Sequence, residues 1–239
     1  MRCGYNGAWD DSRRSMEMRT ILVLNAKGGS GKTTIATNLA GYFASQGVKV
    51  ALVDFDPQGS SLDWLSARPS DRPKISGVDG SSKKGVRVPR NTEYVVMDAP
   101  SRTHDDQLAA LVKRAQTVVL PVVPSPIDIR AAQRFLGELR ALRNIVDTDV
   151  KLTTVANRVR EGTLIANELE DYLFDLTLPS GRKFPFLTML RSSTNYIRAA
   201  EKGLSIFEFA PVATAADREY WSPLLRWLQS ARSIPTKKT

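Results

Sequence analysis

"TILVLNAKGGSGKTTIATNLAGYFASQG", residues 20–47, decides the fold. It opens with a β-rich apolar run, 20–26, of the kind that forms a strand buried on both faces. Small residues follow. Ile35, Leu39, Tyr42 and Phe43 then recur at helical spacing until Gly47 stops the helix. A strand, a glycine-rich turn and a helix that opens on Gly-Lys-Thr make a phosphate-binding loop. Glycines let backbone N–H groups close around phosphate oxygens, and the helix start adds partial positive charge. The expected cradle is Gly28, Gly29, Ser30, Gly31, Lys32, Thr33 and Thr34. Lys32 reaches the β- and γ-phosphates, and Thr33 offers its hydroxyl to Mg²⁺. The strict pattern has Gly five residues before Gly31, where this chain has Ala26, so the loop is a variant. It also carries Lys27, a second lysine that phosphate binding alone does not need. A glycine-rich turn with no ligand is the plain alternative. It leaves Gly-Lys-Thr at a helix start unexplained.

Outward from this loop the chain alternates strands and helices. Apolar runs at 48–56, 93–100 and 116–124 read as buried strands. Ser125 caps a helix with Pro126 in its first turn, expected to run to about Val146. "VKLTTVANRV", 150–159, is a further strand, and a helix follows from Thr163 to near Asp175. This order predicts an α/β fold with a mainly parallel sheet flanked by helices on both faces. Residues 68–91, rich in Pro, Gly, Ser and charge, read as a mobile or irregular loop. The expected organisation is an irregular leader over 1–18, one domain over 19–232 and a basic tail over 233–239.

Bulk properties narrow the function. The 239 residues are 42% hydrophobic, enough for a sizeable core, and no run of 18 apolar residues exists to span a bilayer. With no secretory-type apolar core near the N-terminus, the expected location is cytoplasmic. A single cysteine, Cys3, argues against a disulfide framework, a cysteine-ligated metal or an iron–sulfur reductase. The formal charge of +9 points to an acidic partner, nucleic acid or anionic membrane, or else to a solvated basic surface.

Two strands end in acids, where open α/β sheets place their chemistry. Asp98 closes "YVVMD" and suits a magnesium-holding acid, directly or through water. Asp54 and Asp56 close "VALVDFDPQG". Either of that pair can serve the metal or orient an attacking water, and either can instead cap a helix.

"KGGSGKTTIATNLAGYFASQGVKVALVDFDPQGS" resembles the deviant phosphate loop and acidic strand of the ParA/MinD family of ATPases. "VVMDAP", "PVVPSPIDIRAAQRFL" and "VANRV" fall in that family's order, so the resemblance covers about residues 19–230. It implies a P-loop ATPase with ATP and Mg²⁺ as cofactors, dimerising on ATP. It implies that Lys27 reaches across the dimer to the other subunit's nucleotide, beside Lys32 as a catalytic cation. It further implies that Asp56 positions the hydrolytic water, that Asp54 and Asp98 serve the metal with Thr33, that Asn157 reads the adenine edge and that the backbone near Pro211 closes the adenine pocket. The run "DAPSRT" departs from the family's frequent pair of prolines. The short leader implies the short type, without an operator-binding domain.

The family divides by what the dimer grips: DNA without sequence preference, a membrane, or a small molecule to be amidated or reduced. Residues 191–239 carry eight basic against four acidic side chains. "LRSSTNYIRAAEKG" is expected to put Arg198 and Lys202 on one helix face, with Arg191 just before it. Partition-type members turn such residues to the DNA backbone, so Arg191, Arg198 and Lys202 are the first DNA-binding candidates, then Arg226 and Arg232. The stripe in "REYWSPLLRWLQSARS" could make a membrane-surface helix or pack on the sheet. The resemblance thus implies a nucleoid-associated positioning ATPase, stimulated by a small adaptor protein, whose cargo is a plasmid, a chromosome or a carboxysome-type assembly. A MinD-like membrane ATPase and a small-molecule synthetase are the alternatives.

Overall fold

A computed structural model describes residues 18–82, 85–101, 105–141, 150–177, 181 and 183–235. Most of the expected leader, the end of the helix expected to run to about Val146 and the end of the expected basic tail lie outside them. Seven strands appear: β1 (Arg19–Val23), β2 (Val50–Asp54), β3 (Ile75–Asp79), β4 (Tyr94–Asp98), β5 (Thr117–Val122), β6 (Lys151–Val159) and β7 (Phe186–Arg191). Seven helices are described: α1 (Lys32–Ser45), α2 (Ser60–Ser66), α3 (Asp105–Lys113), α4 (Pro126–Ala141), α5 (Leu164–Asp175), α6 (Asn195–Ala200) and α7 (Ala215–Leu228). The sheet runs β3-β2-β4-β1-β5-β6-β7 with every pairing parallel.

Alternation along the buried strands divides the core. In β1, Ile21 and Val23 face one side while Leu22, and Leu24 just beyond it, face the other. The first side is covered by α1, α2, α6 and α7 through Ile35, Leu39, Phe43, Trp64, Ala199 and Trp221. The second is covered by α3, α4 and α5 through Leu111, Val112, Phe135, Leu139, Leu169 and Leu173. A sheet covered on both faces needs apolar residues in both registers, which is why its central strands read as unbroken apolar runs.

Two expectations change, and one of two open readings is decided. The 68–91 stretch is not all loop, because β3 lies inside it as the edge strand paired to β2. Only Ile75 of β3 is buried, and Gly77 sits against Leu62 and Leu65, so it lacks the apolar signature of an inner strand. The helix expected to carry both Arg198 and Lys202 ends at Ala200. Lys202 lies in the turn beyond, which Gly203 closes at φ 61, its Cα side pressed against the backbone of Arg68. The apolar stripe of α7 is spent in the core: Trp221, Leu224, Leu225 and Leu228 are buried. Among the described residues no helix is long and apolar enough to cross a membrane.

Two buried cations pin distant segments. Arg19, at the start of β1, donates to Ser233 Oγ (2.8 Å), Ser233 O (3.4 Å) and Leu228 O (3.3 Å). Arg68, after α2, pairs with Glu208 through both terminal nitrogens and also donates to Gly203 O at 3.2 Å. Burial alone would raise the Glu208 carboxyl. Arg68 and the Ser205 hydroxyl and N–H outweigh it and hold it below its ordinary value.

Candidate functional site

The C-terminal ends of β1, β2, β4, β5 and β6 converge at one rim, on both sides of the β1 position where the strand order reverses. The loop 24–31 leaves β1 there and enters α1. Gly31, at φ 89, is the residue before α1. A Cβ at that position would lie 2.1 Å from Asn157 Nδ2, so both conformation and space require glycine. The first helical bond runs from Ile35 N to Gly31 O at 3.0 Å. The N–H groups of Lys32, Thr33 and Thr34 precede it, at a helix start that has no carbonyls of its own to offer them. Gly28 and Gly29 are exposed and Ser30 is buried.

Lys32 is buried, and its Nζ donates to Lys27 O at 3.2 Å. Burial lowers its pKa, against the opposing pull of Asp98 and Asp56. Thr33 Oγ1 donates to Asp98 Oδ2 at 2.7 Å. Asp98 is 1% exposed and its pKa is pushed up to about 7. Burial is the main cause, Asp54 adds to it, and the Thr33 hydroxyl and Lys32 oppose it. Asp98 Oδ1 and Ser61 Oγ are buried without a well-formed hydrogen bond, and the Ser61 hydroxyl lies near enough to Asp98 to lower its pKa slightly.

This arrangement fits a hard divalent cation. A hydroxyl and a carboxylate already touch, one carboxylate oxygen is unspent, and a cation would offset the cost of the buried charge. Among the described residues no cluster of three His, Cys, Asp or Glu side chains could hold a metal alone. A Mg²⁺ held at Thr33 and Asp98 would need phosphate oxygens and water to complete its shell.

Asp54 lies beside Asp98 in register but is differently employed. Its Oδ1 accepts from Asp56 N (2.9 Å), and its Oδ2 accepts from Ser61 N (2.9 Å) and Leu62 N (3.3 Å). It caps the first turn of α2 from a distance. Of the expected metal residues, the geometry brings Thr33 and Asp98 together and gives Asp54 a structural task. Asp56 accepts from Gln58 N through Oδ1 (3.0 Å) and from Ser101 N through Oδ2 (3.3 Å), bridging the ends of β2 and β4.

Lys27 does not hang free in the loop. Its Nζ lies 2.6 Å from Asp128 Oδ2 in the first turn of α4. Asn157 donates to Ser30 O at 2.8 Å and braces the loop from β6. Pro211 is exposed and its carbonyl accepts from Arg218 at 2.5 Å.

The basic candidates differ in freedom. Arg191 Nε sits 2.5 Å from Asp217, which is wholly buried and also accepts from Ser193 and Asn195. Arg198, Arg226 and Lys202 are exposed, as is Arg232 in the final turn. The Lys202 ammonium lies 5.4 Å over the Phe209 ring.

Sequence reasoning missed Asn25, Ser61, Ser101 and Asp128. Asp128 had a usable signal, an acid two residues past Pro126 behind a serine cap. The others act through contacts between strand ends that no local pattern announces.

A family model for the CobQ/CobB/MinD/ParA nucleotide binding domain matches residues 21–206. The chain is 27% identical to maintenance of carboxysome distribution protein A of Halothiobacillus neapolitanus, over 83% of this chain and 91% of that one. It is 31% identical to the protein of the same name from Gloeobacter kilaueensis, covering 80% and 85%. Among solved structures it is similar to Cyanthece apo McdA, with TM-score 0.66 at 16% identity, covering 88% of this chain and 99% of that one. It also shares its fold with cobyrinic acid a,c-diamide synthase of Mycobacterium smegmatis, solved with a bound ATP analogue and magnesium, at TM-score 0.62 and 21% identity over 93% and 100%. The fold, the variant loop and these matches agree: the chain belongs to the CobQ/CobB/MinD/ParA family of P-loop nucleotide-binding domains.

Proposed function

We propose that this protein is an ATPase that dimerises on ATP, binds DNA without sequence preference and positions a cargo, with an adaptor protein stimulating hydrolysis. The observation that carries the reading is the pairing of a phosphate cradle around Lys32 and Thr33 with a second, partly exposed lysine at its mouth, Lys27. A cradle serves one nucleotide. By resemblance to the ParA/MinD family, the further cation at the rim serves the nucleotide of a second subunit, where it would neutralise charge developing on the transferred phosphoryl group.

The roles follow from placement. Lys32 and the N–H groups at the α1 start bind phosphate. Thr33 and Asp98 hold Mg²⁺, which when bound offsets phosphate charge. Asp56 orients water at the γ-phosphate, and its ties to Ser101 and Gln58 make its position sensitive to the segment after β4. Such dependence on loop geometry supports slow turnover until an adaptor organises the site. Asn157 trades Ser30 O for the adenine edge once nucleotide enters, and Pro211 borders that pocket. Arg198, Lys202, Arg226 and Arg232 are exposed cations suited to DNA phosphates. Arg191 is the weaker candidate because Asp217 already engages it. The similarity to two carboxysome distribution proteins supports a protein assembly as the cargo over a plasmid.

The test is DNA binding with ATP and with ADP across a salt series, beside sedimentation with anionic liposomes. Binding that needs ATP and weakens steeply with salt is expected. Liposome binding without DNA binding would replace this reading with surface positioning on a membrane.

A further inference from the structure

We infer that Asp128 holds Lys27 in its own subunit until nucleotide binds, so that the Lys27–Asp128 ion pair sets the ATP concentration at which the dimer forms. This rests on the trans role of Lys27 proposed above and names the residue that regulates it.

A lysine has one ammonium. With Nζ 2.6 Å from Asp128 Oδ2, Lys27 is committed to its own chain and cannot also reach a second subunit's phosphates. Asp128 is well placed to keep it. Its side chain is only 12% exposed, and it lies in the first turn of α4, where the helix dipole favours a carboxylate. The Lys27 side chain is 36% exposed, so it can leave, at the cost of stranding a largely buried carboxylate.

The rest of the loop couples this pair to the nucleotide. Lys27 O accepts from Lys32 Nζ and from Ser30 Oγ, both at 3.2 Å. Lys27 N donates to Asn25 Oδ1 at 3.0 Å, and Asn25 Nδ2 donates to Pro121 O at 2.6 Å, on the strand that leads to α4. The two lysines are therefore interlocked: one ammonium ties the other's backbone, and the second ammonium ties α4. Phosphate in the cradle attracts Lys32 Nζ away from Lys27 O. The loop backbone is then held by one bond fewer, and the Lys27 side chain is easier to release.

Asp128→Asn removes the counter-charge while keeping the shape. Dimerisation is followed by light scattering against ATP and ADP for wild type, Asp128→Asn, Asp128→Ser, Lys27→Ala and Lys27→Ala/Asp128→Asn, with thermal unfolding confirming each fold. An ion pair of this exposure is worth about a threefold change in equilibrium, and two subunits must both release, so roughly tenfold tighter ATP-dependent dimerisation is expected. ADP should give no dimer in either Asp128 variant. In the Lys27→Ala background, where no dimer forms, thermal unfolding is the readout: Asp128→Asn should not lower the melting temperature there, whereas a merely structural Asp128 would still show its loss. An unchanged or weaker ATP dimer in both Asp128 variants, with Lys27→Ala monomeric, overturns the latch and leaves the trans role standing. Normal dimerisation of Lys27→Ala overturns the trans role itself.

Discussion

Replacing Asp98 by Asn should stabilise the nucleotide-free protein at pH 8 while abolishing its response to Mg²⁺ and ATP. The carboxyl is held near 7 against an ordinary 3.8, chiefly by burial. Each pH unit of that gap carries about 1.4 kcal/mol, so ionising this group in the fold costs on the order of 4 kcal/mol relative to the unfolded chain. The sign follows from proton counts. Between pH 3.8 and about 7 the folded carboxyl keeps a proton that the unfolded chain has lost, so stability falls as pH rises through this window and is flat on either side. An amide has no such slope and can still accept from Thr33 Oγ1 through its carbonyl oxygen. Urea unfolding at pH 5, 6, 7 and 8 should therefore show the Asp98→Asn variant gaining steadily on wild type, by a few kcal/mol at the top of the range. Adding Mg²⁺ and ATP should close most of that gap at pH 8 and reverse the order at pH 5. Ligand at a hundred times its dissociation constant stabilises wild type by about 2.7 kcal/mol and should leave the variant nearly unmoved. Parallel curves for the two proteins from pH 5 to 8 would refute the buried-carboxylate argument. Equal ligand-induced stabilisation would remove Asp98 from the metal site.

Asp56→Ala should bind ATP and dimerise but turn over at least tenfold more slowly, leaving the dimer on DNA; unchanged phosphate release would take Asp56 out of water activation. Arg198→Ala with Lys202→Ala should flatten the dependence of DNA affinity on salt by up to about two charge equivalents without changing ATP binding; an unaltered slope would move the DNA face elsewhere. Gly31→Ala places a methyl where Asn157 Nδ2 stands, in a left-handed backbone conformation, and should cost about 1–3 kcal/mol of stability together with nucleotide binding; wild-type ATP affinity would contradict that geometry. Arg68→Ala strands Glu208 and should lower the melting temperature by on the order of 10 °C; a shift under 2 °C would show that the pair is dispensable.

The strands at the centre of the sheet were legible because burial on both faces forces continuous apolar runs, and β1, β2, β4 and β5 obey, while β6 buries Thr153, Thr154 and Asn157 among its apolar residues. The edge strand β3 was not, since one buried residue and a glycine give no period to read. The cradle from Gly28 to Thr34 was legible because its chemistry is local in sequence. Asp54 shows the limit of that locality. A carboxylate ending a strand looks the same whether it holds a cation or caps a helix, and only the positions of Ser61 N and Leu62 N separate the two uses. The ion pair of Lys27 with Asp128 spans 101 residues, and the bond from Asn157 to Ser30 spans 127. Both depend on which strands lie side by side, and a single sequence read by period and motif does not contain that order.

The ties of Arg19 to Leu228 and Ser233 also bear on the order in which the molecule can be completed. β1 is the middle strand, yet of the acceptors for its guanidinium Thr117 is synthesised 98 residues later and Ser233 214 residues later. Until they emerge, this end of β1 carries a cation that the finished fold buries. This end of the central strand is therefore completed late, and it stays open to chaperones over that interval. The interval ends when the turn at Ala231–Ser233 arrives and closes over it.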